Sequence, residues 1–351
     1  MKSKRIEYID QIKGLAIFLV VLAHIMAWTY QSWEVALQHK SVAPMLWWRI
    51  IYSFHMPLFF CVSGYLCSIK KGYTTFVKNK IKTLIIPFVS FFILSGVINK
   101  SLTYGGGPWF LKTLFIFVMI YAISHLLLKI ARSQNSLILI IVMLILFLAI
   151  RRGVYYLNSE ILKEIIDIRH LSNFNYTGFL LGVFLKEFKY IYEKYEKIKK
   201  EKAFSFFIII YIVLLVLKLQ WNITFQWDFV FIEISAIMAV WLFFDLRQSK
   251  LVTNKILRMQ IITNRILEKM GRYSLHIYLL HGYFQIRNID FGQYLLSLAD
   301  KNVNSLSITL CTTQLIYTAI ITTVIIILCF LATRFIEHSN ILNFLLFGKI
   351  K

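Results

Sequence analysis

The sequence predicts an all-α integral membrane protein of about ten transmembrane helices, and three observations predict it. Hydrophobic residues make up 58% of the 351 and charged residues only 16%, a balance foreign to water-soluble domains of this length. The apolar residues come in runs of 15 to 24 rather than in amphipathic stripes, and such runs suit a hydrocarbon core of about 30 Å. Lys and Arg gather in alternate connections between the runs, so membrane topology, and not a nucleic-acid partner, accounts for the net charge of +22.

The expected spans are 12–30, 47–69, 83–99, 109–128, 136–151, 174–188, 203–220, 229–245, 271–289 and 308–333. With both termini inside, the cytoplasmic connections hold Lys2, Lys4 and Arg5, then Lys70, Lys71, Lys78, Lys80 and Lys82, then Lys129 and Arg132. The series continues with the run Lys186 to Lys202 and the stretch Arg247 to Arg272, so most of the 39 basic residues lie on one side. No small-residue cleavage pattern follows the first apolar run before Trp28, which reads as an uncleaved first helix. The segment 152–173 is amphipathic and suits an interfacial helix, and the basic stretch from Lys186 to Lys202 suits a helix lying on anionic lipid. Connections of at most about twenty residues leave no appended soluble domain, and 1–351 reads as a single polytopic domain. Cys61, Cys67, Cys311 and Cys329 all fall inside apolar runs, which indicates neither a disulfide framework nor a metal site.

The chain is organised around its first span. Helical geometry at 100° per residue places Asp10, Lys13 and His24 within about 60° of one another on one face. His24 stands eleven residues beyond Lys13, roughly 16 Å along the axis and half-way through the lipid. An ionisable side chain at that depth faces a bundle interior or a water-filled path; the plainer reading is a histidine that hydrogen-bonds a neighbouring helix and fixes packing. Span two, with the stretch SFHMPLFFCVSGYL, carries His55 at comparable depth from the other side, and its Pro57 and Gly64 predict a kink and a close helix approach. Span nine, GRYSLHIYLLHGYF, brings His281 to a similar level, with Tyr278 and Ser274 on its side of the helix. Three histidines at one depth point to a polar chamber with acid–base chemistry. The glycine-rich YGGGPWFL before span four offers Trp109 either as an interfacial belt aromatic or as a sugar-stacking platform. Glu233 in span eight and Asp228 at its mouth are carboxylates that could hold hydroxyls.

Four blocks in this order resemble the integral-membrane acyltransferase 3 family: the Asp10, Lys13, His24 spacing; FHMPLFFCVSGYL followed by KNKIKTLIIPF; PWFL before span four; and YSLHIYLLH in span nine. The resemblance covers essentially the whole chain. It implies a multi-pass O-acyltransferase of the bacterial cytoplasmic membrane. Such an enzyme takes an acyl group, acetyl or succinyl, from cytoplasmic acyl-CoA to a hydroxyl of an exported glycan or its lipid-linked precursor. It implies no permanently bound cofactor. Three histidines could hold zinc, but no HxxxH or acidic helper stands at a suitable spacing, so no metal is expected. By the same resemblance His24 is the key first-helix histidine, Asp10 and Lys13 are the acidic residue followed by a basic one, and Arg5 is the upstream arginine. The depth of His281 adds it to the catalytic set with His24 and Asp10, to orient substrate or pass the proton on, and the positive charge of Lys13 and Arg5 suits the donor phosphates. Lys78, Lys80 and Lys82 stand where family members often carry paired arginines, which keeps phosphate attraction without bidentate geometry. His55, Trp109, Tyr278 and Glu233 are the candidate acceptor-binding residues. The rival from another class is a transporter or flippase for a glycan precursor, whose histidines would relay protons.

Overall fold

The computed structural model describes residues 7–29, 46–98, 108–156, 171–189, 197–220, 228–248, 254–284 and 308–349. Among these residues every regular element is a helix. Among the described residues five helical stretches are long and apolar enough to cross a membrane by themselves: Glu7–Ala27, Tyr73–Ile98, Trp109–Ile130, Ser136–Tyr156 and Thr312–Ile336. Contacts divide the chain into two compact units, Met1–Met56 with Glu201–Phe335 and Pro57–Lys200 with Ile336–Lys351.

The first unit is built around α1 (Glu7–Thr29). Ile9, Ile12, Ala16, Ile17, Val20, Val21, Ala23, Ile25 and Met26 are almost wholly buried and fall on every side of the helix, so α1 is enclosed rather than lipid-facing. It is enclosed by α2 (Leu46–Tyr52), α10 (Asp228–Gln248), α11 (Asn254–Arg272) and α12 (Ser274–Leu280). Leu315 and Ala319 of α13 (Ile308–Ile336) pack against the cluster of Leu22, Ala23, Met26, Trp48 and Ile51. The α1–α11 seam is the most extensive, and glycine sets its depth. The α-carbon of Gly14 sits against the Leu267 carbonyl and that of Gly271 against the Asp10 carbonyl, so a methyl group at either site would meet backbone. On α13 the usual amphipathic order is inverted: Gln314, Thr318 and Thr322 are buried, while Ile316, Ile320, Val324, Ile327 and Leu331 are exposed. That arrangement suits a helix whose outer surroundings are lipid.

The second unit is built around α6 (Trp109–Ile130), packed against α4 (Tyr73–Lys80), α5 (Ile86–Ile98) and α7 (Ser136–Tyr156). Its core is aromatic: Phe147 stacks on Tyr176 with centroids 3.9 Å apart, Phe117 meets Tyr176 edge-on at 5.0 Å, and the Tyr176 hydroxyl donates to the Met143 carbonyl at 2.8 Å. Tyr176 lies on α8 (Asn173–Glu187), which carries glycines four residues apart. Gly178 faces the Pro57 carbonyl and Gly182 the Cys61 carbonyl of α3 (His55–Tyr65), while Gly64 of α3 faces the Phe179 carbonyl. This is the small-xxx-small contact by which membrane helices approach closely. The unit also contains α14 (Asn340–Phe347), which packs on α5; the remaining helix, α9, covers Lys197–Gln220.

The helices correct the expected spans in several places. Span two breaks into α2 and α3 at Ser53 and Phe54, because Pro57 has no N–H for the Ser53 carbonyl and its ring crowds that position. The Ser53 hydroxyl donates to the Ile50 carbonyl at 2.7 Å, filling one of the places the break opens. Span three begins at Tyr73 rather than at 83 and runs through a π-helical turn at Ile81–Ile85. Pro87 again explains the irregularity, since the carbonyl it cannot serve is that of Thr83, inside the wider turn. Within the described part of span nine the α-helix ends at Leu280 and tightens to a 3₁₀ turn, His281–Phe284. Two helices were not expected at all, α11 and α14. The amphipathic segment 152–173 is described only at its ends, as the last turn of α7 and the approach to α8; residues 157–170 lie outside the described residues, as do 190–196 of the basic stretch.

Gly14→Ala and Gly271→Ala are each expected to lower the thermal unfolding midpoint in detergent, corresponding to about 1–3 kcal/mol of overpacking. Gly153→Ala, where nothing stands within 4 Å of an added methyl, is expected to be neutral or stabilising by about 0.5–1 kcal/mol.

Candidate active site

The beginning of α1 forms a charged layer. Lys13 Nζ stands 3.0 Å from Asp10 Oδ1, one turn along the same helix, and Asp10 is otherwise buried against α11. Gln11 Nε2 donates to Glu268 Oε1 at 3.0 Å, and Arg272 Nη2 approaches Glu268 Oε2 at 3.5 Å. Lys13 is thus held by Asp10, as their spacing on one helical face suggests. Arg5 lies outside the described residues.

Beyond this layer α1 is apolar up to His24. From Val20 to Ala27 every side chain is buried except that of His24, which keeps partial accessibility. His24 Nδ1 and His281 Nε2 are 2.7 Å apart, within hydrogen-bond range. His281 lies almost fully buried behind His24, and its Nδ1 donates to the Ile277 carbonyl at 3.0 Å. His55 is buried as well and donates from Nδ1 to the Ile51 carbonyl at 2.8 Å. His24 and His281 are in contact, and His55 is joined to the same region through Tyr52 and Trp48, the latter clustered with Ala23 and Met26 of α1. Tyr278 places its ring 6.1 Å from that of His281. Tyr52 meets His55 edge-on at 4.6 Å and stacks on Trp48 at 4.2 Å. Glu233 is completely buried on α10, a helix that packs on α1; the side chain of Asp228 lies outside the described residues. His276, not singled out from the sequence, is also fully buried, with its ring 5.2 Å from that of Tyr273.

A family model described as an acyltransferase domain matches residues 6–334. The chain belongs to this acyltransferase 3 family. The chain is also similar to the nodulation protein NolL of Sinorhizobium fredii (strain NBRC 101917 / NGR234), with 30% identity over 143 residues, 34% of this chain and 37% of that relative. The chain thus spans little more than a third of the relative's length. No solved structure matches. Family membership together with the apolar helices makes this a multi-pass membrane protein.

Four sequence-predicted residues belong to the second unit. Trp109 opens α6, half-buried, with its ring 6.4 Å from Phe60 and 6.3 Å from Phe110. The glycines of the preceding loop, 105–107, lie outside the described residues. Lys78 and Lys82 are exposed, whereas Lys80 is partly buried with its ammonium 5.5 Å from the centre of the Phe76 ring. Helical geometry explains the split, since Lys80 is about 200° around the axis from Lys78. The same unit holds a polar network that the sequence reading passed over. Tyr73 Oη and His125 Nδ1 are 2.8 Å apart, and Lys186 Nζ donates to Tyr121 Oη and Glu187 Oε1 at 3.0 Å each. The signal for it was present, because Tyr121, His125 and Lys129 recur at intervals of four along α6.

Asp10→Asn and Lys13→Gln, measured singly and together by thermal unfolding, are expected to show a coupling of about 0.5–3 kcal/mol, with the double variant less destabilised than the sum. Additive losses would mean that the pair contributes nothing to holding this end of α1.

Proposed function

We propose that this acyltransferase transfers an acyl group, acetyl or succinyl, from cytoplasmic acyl-CoA to a hydroxyl of an exported or cell-surface carbohydrate, with His24 as general base. The observation that carries the reading is the partial accessibility of His24 within the otherwise buried stretch 20–27, with the buried His281 in contact with it. His24 takes the proton of the acceptor hydroxyl as that oxygen bonds to the thioester carbonyl carbon. The carbon–sulfur bond then breaks, and the CoA thiolate recovers the proton from the imidazolium. The thioester brings its own activation, so the reaction calls for no resident cofactor.

The supporting frame is the ten-span arrangement with both termini inside, in a bacterial cytoplasmic membrane. In that frame Lys13, held by Asp10, faces the compartment that contains acyl-CoA. The roughly 16 Å from Lys13 to His24 along α1 is comparable to an extended pantetheine arm. Arg5, Lys78, Lys80 and Lys82 add positive charge on the same side for the CoA phosphates. His55, Tyr278 and Glu233 are the polar groups assigned to the acceptor, and Trp109 offers an aromatic face to a sugar ring.

The deciding experiment reconstitutes the purified protein in liposomes with acetyl-CoA inside and a cell-envelope glycan fraction outside. Loss of acetyl-CoA with acetylation of the glycan supports the enzyme; glycan crossing without covalent change supports the flippase instead. His24→Ala is expected to lower transfer by at least about 10²-fold while insertion and donor binding persist. A folded His24→Ala protein with near-normal transfer removes the assignment.

The triple variant Lys78→Gln, Lys80→Gln, Lys82→Gln is expected to raise the donor KM more than the acceptor KM. Trp109→Ala is expected to do the reverse, and equal effects on both substrates would return Trp109 to a packing role with Phe60 and Phe110.

A further inference from the structure

The arrangement of the two contacting histidines determines which nitrogen of His24 is basic, and hence what His281 does. A backbone carbonyl can only accept a hydrogen bond, so the 3.0 Å contact from His281 Nδ1 to the Ile277 oxygen places a proton on that Nδ1. In the neutral ring the other nitrogen, Nε2, then carries the lone pair. That lone pair faces His24 Nδ1 at 2.7 Å, so in the neutral pair His24 Nδ1 must be the donor. The proton of the neutral His24 ring is thereby used, and its Nε2 is left as the basic nitrogen.

The ring geometry supports a directed hydrogen bond rather than face-to-face stacking. The centroids are 5.0 Å apart and the planes only 16° from parallel. Half the difference between 5.0 Å and the 2.7 Å nitrogen separation is about 1.15 Å, close to the distance from the centre of an imidazole to its nitrogen. Centroid, nitrogen, nitrogen and centroid therefore lie nearly on one line, within both ring planes, where an N–H and a lone pair point. Burial adds to this: His281 is 5% exposed and sits behind His24, which is the accessible member.

We infer that His281 is a positioning residue that fixes His24 in the Nδ1–H tautomer, so that Nε2 of His24 faces the reacting groups. This rests on the proposed role of His24 as base. The chain Ile277 carbonyl, His281, His24 does the orienting work that a carboxylate does in other histidine-based sites, but with neutral groups throughout. When Nε2 takes the acceptor's proton, His24 becomes an imidazolium whose Nδ1–H still donates to His281. When the thiolate leaves, the same Nε2 returns the proton and the pair is restored.

The test uses full-length protein in nanodiscs with ¹⁵N-labelled histidine, His24 being assigned by the signals lost in His24→Ala. Wild-type His24 is expected to show a protonated Nδ1 and a bare Nε2. In His281→Gln the side-chain amide oxygen can stand where Nε2 stood and accept the same hydrogen bond. That variant should keep the tautomer and transfer acetyl from acetyl-CoA to the envelope glycan within about 10-fold of wild type. His281→Phe keeps a ring but no acceptor; it should mix the tautomers and lower kcat by at least about 10²-fold, leaving the donor KM in place. A wild-type His24 protonated at Nε2, or a His281→Phe protein with wild-type kcat, overturns the inference. Normal transfer by His24→Ala would instead end the base assignment, while the tautomer measurement still reports on the pair.

Discussion

The enclosure of α1 is the constraint on which the first unit depends. Lipid chains are as apolar as leucine, so membrane helices gain little from the hydrophobic effect on meeting, and close van der Waals contact must hold them together. Gly14 and Gly271 bring the backbones of α1 and α11 into that contact. With α1 walled in by five helices, the polar groups it carries have fixed surroundings: Asp10 has Lys13, Gln11 has Glu268, and His24 has His281. A histidine on a loosely held helix would sample many partners. Here the ring is aimed.

The second unit applies the same solution to a different core. Gly178, Gly182 and Gly64 set the approach of α3 and α8, and the space that remains is filled with aromatic rings instead of aliphatic ones. Polar side chains are absorbed in both units in one consistent way. Ser63, Thr177, Thr318, Thr322 and Thr333 each donate to a carbonyl four residues back in their own helix. Such hydroxyls settle a hydrogen bond within a few residues of their own position.

Much of this was readable in the chain itself. The ends of α6, α7 and α13 fall within a few residues of the expected spans, because long apolar runs fix them and little else competes. His24 and His281, which helical rise puts at a similar level, are in contact. What escaped did so for identifiable reasons. Helix α11 is rich in Arg, Lys and Asn and reads as a cytoplasmic connection; its role against α1 depends on Gly271 meeting a backbone more than 250 residues away in sequence, which no local pattern reveals. The lysines at 78, 80 and 82 look like one cluster on paper, whereas the helix turns Lys80 away. Prolines announced irregularity correctly, but the break at Ser53 and the π turn at Ile81–Ile85 each fall upstream of the proline, where the unserved carbonyl lies. The pair of histidine hydrogen bonds was out of reach, since periodicity gives the depth of a ring and not its neighbour.

The enclosure of α1 also has a consequence for biogenesis. α1 is the earliest described helix to leave the ribosome, yet apart from α2 its enclosing helices α10, α11, α12 and α13 all come from residues beyond 227. While they are being made, α1 must sit in the bilayer with His24 and Asp10 lacking their eventual surroundings, relying on its own apolar length to stay there. The helices from Pro57 to Lys200 meanwhile supply most of the second unit from neighbours close in sequence. The histidine pair is therefore among the last contacts to form, and an unfinished chain carries His24 without His281.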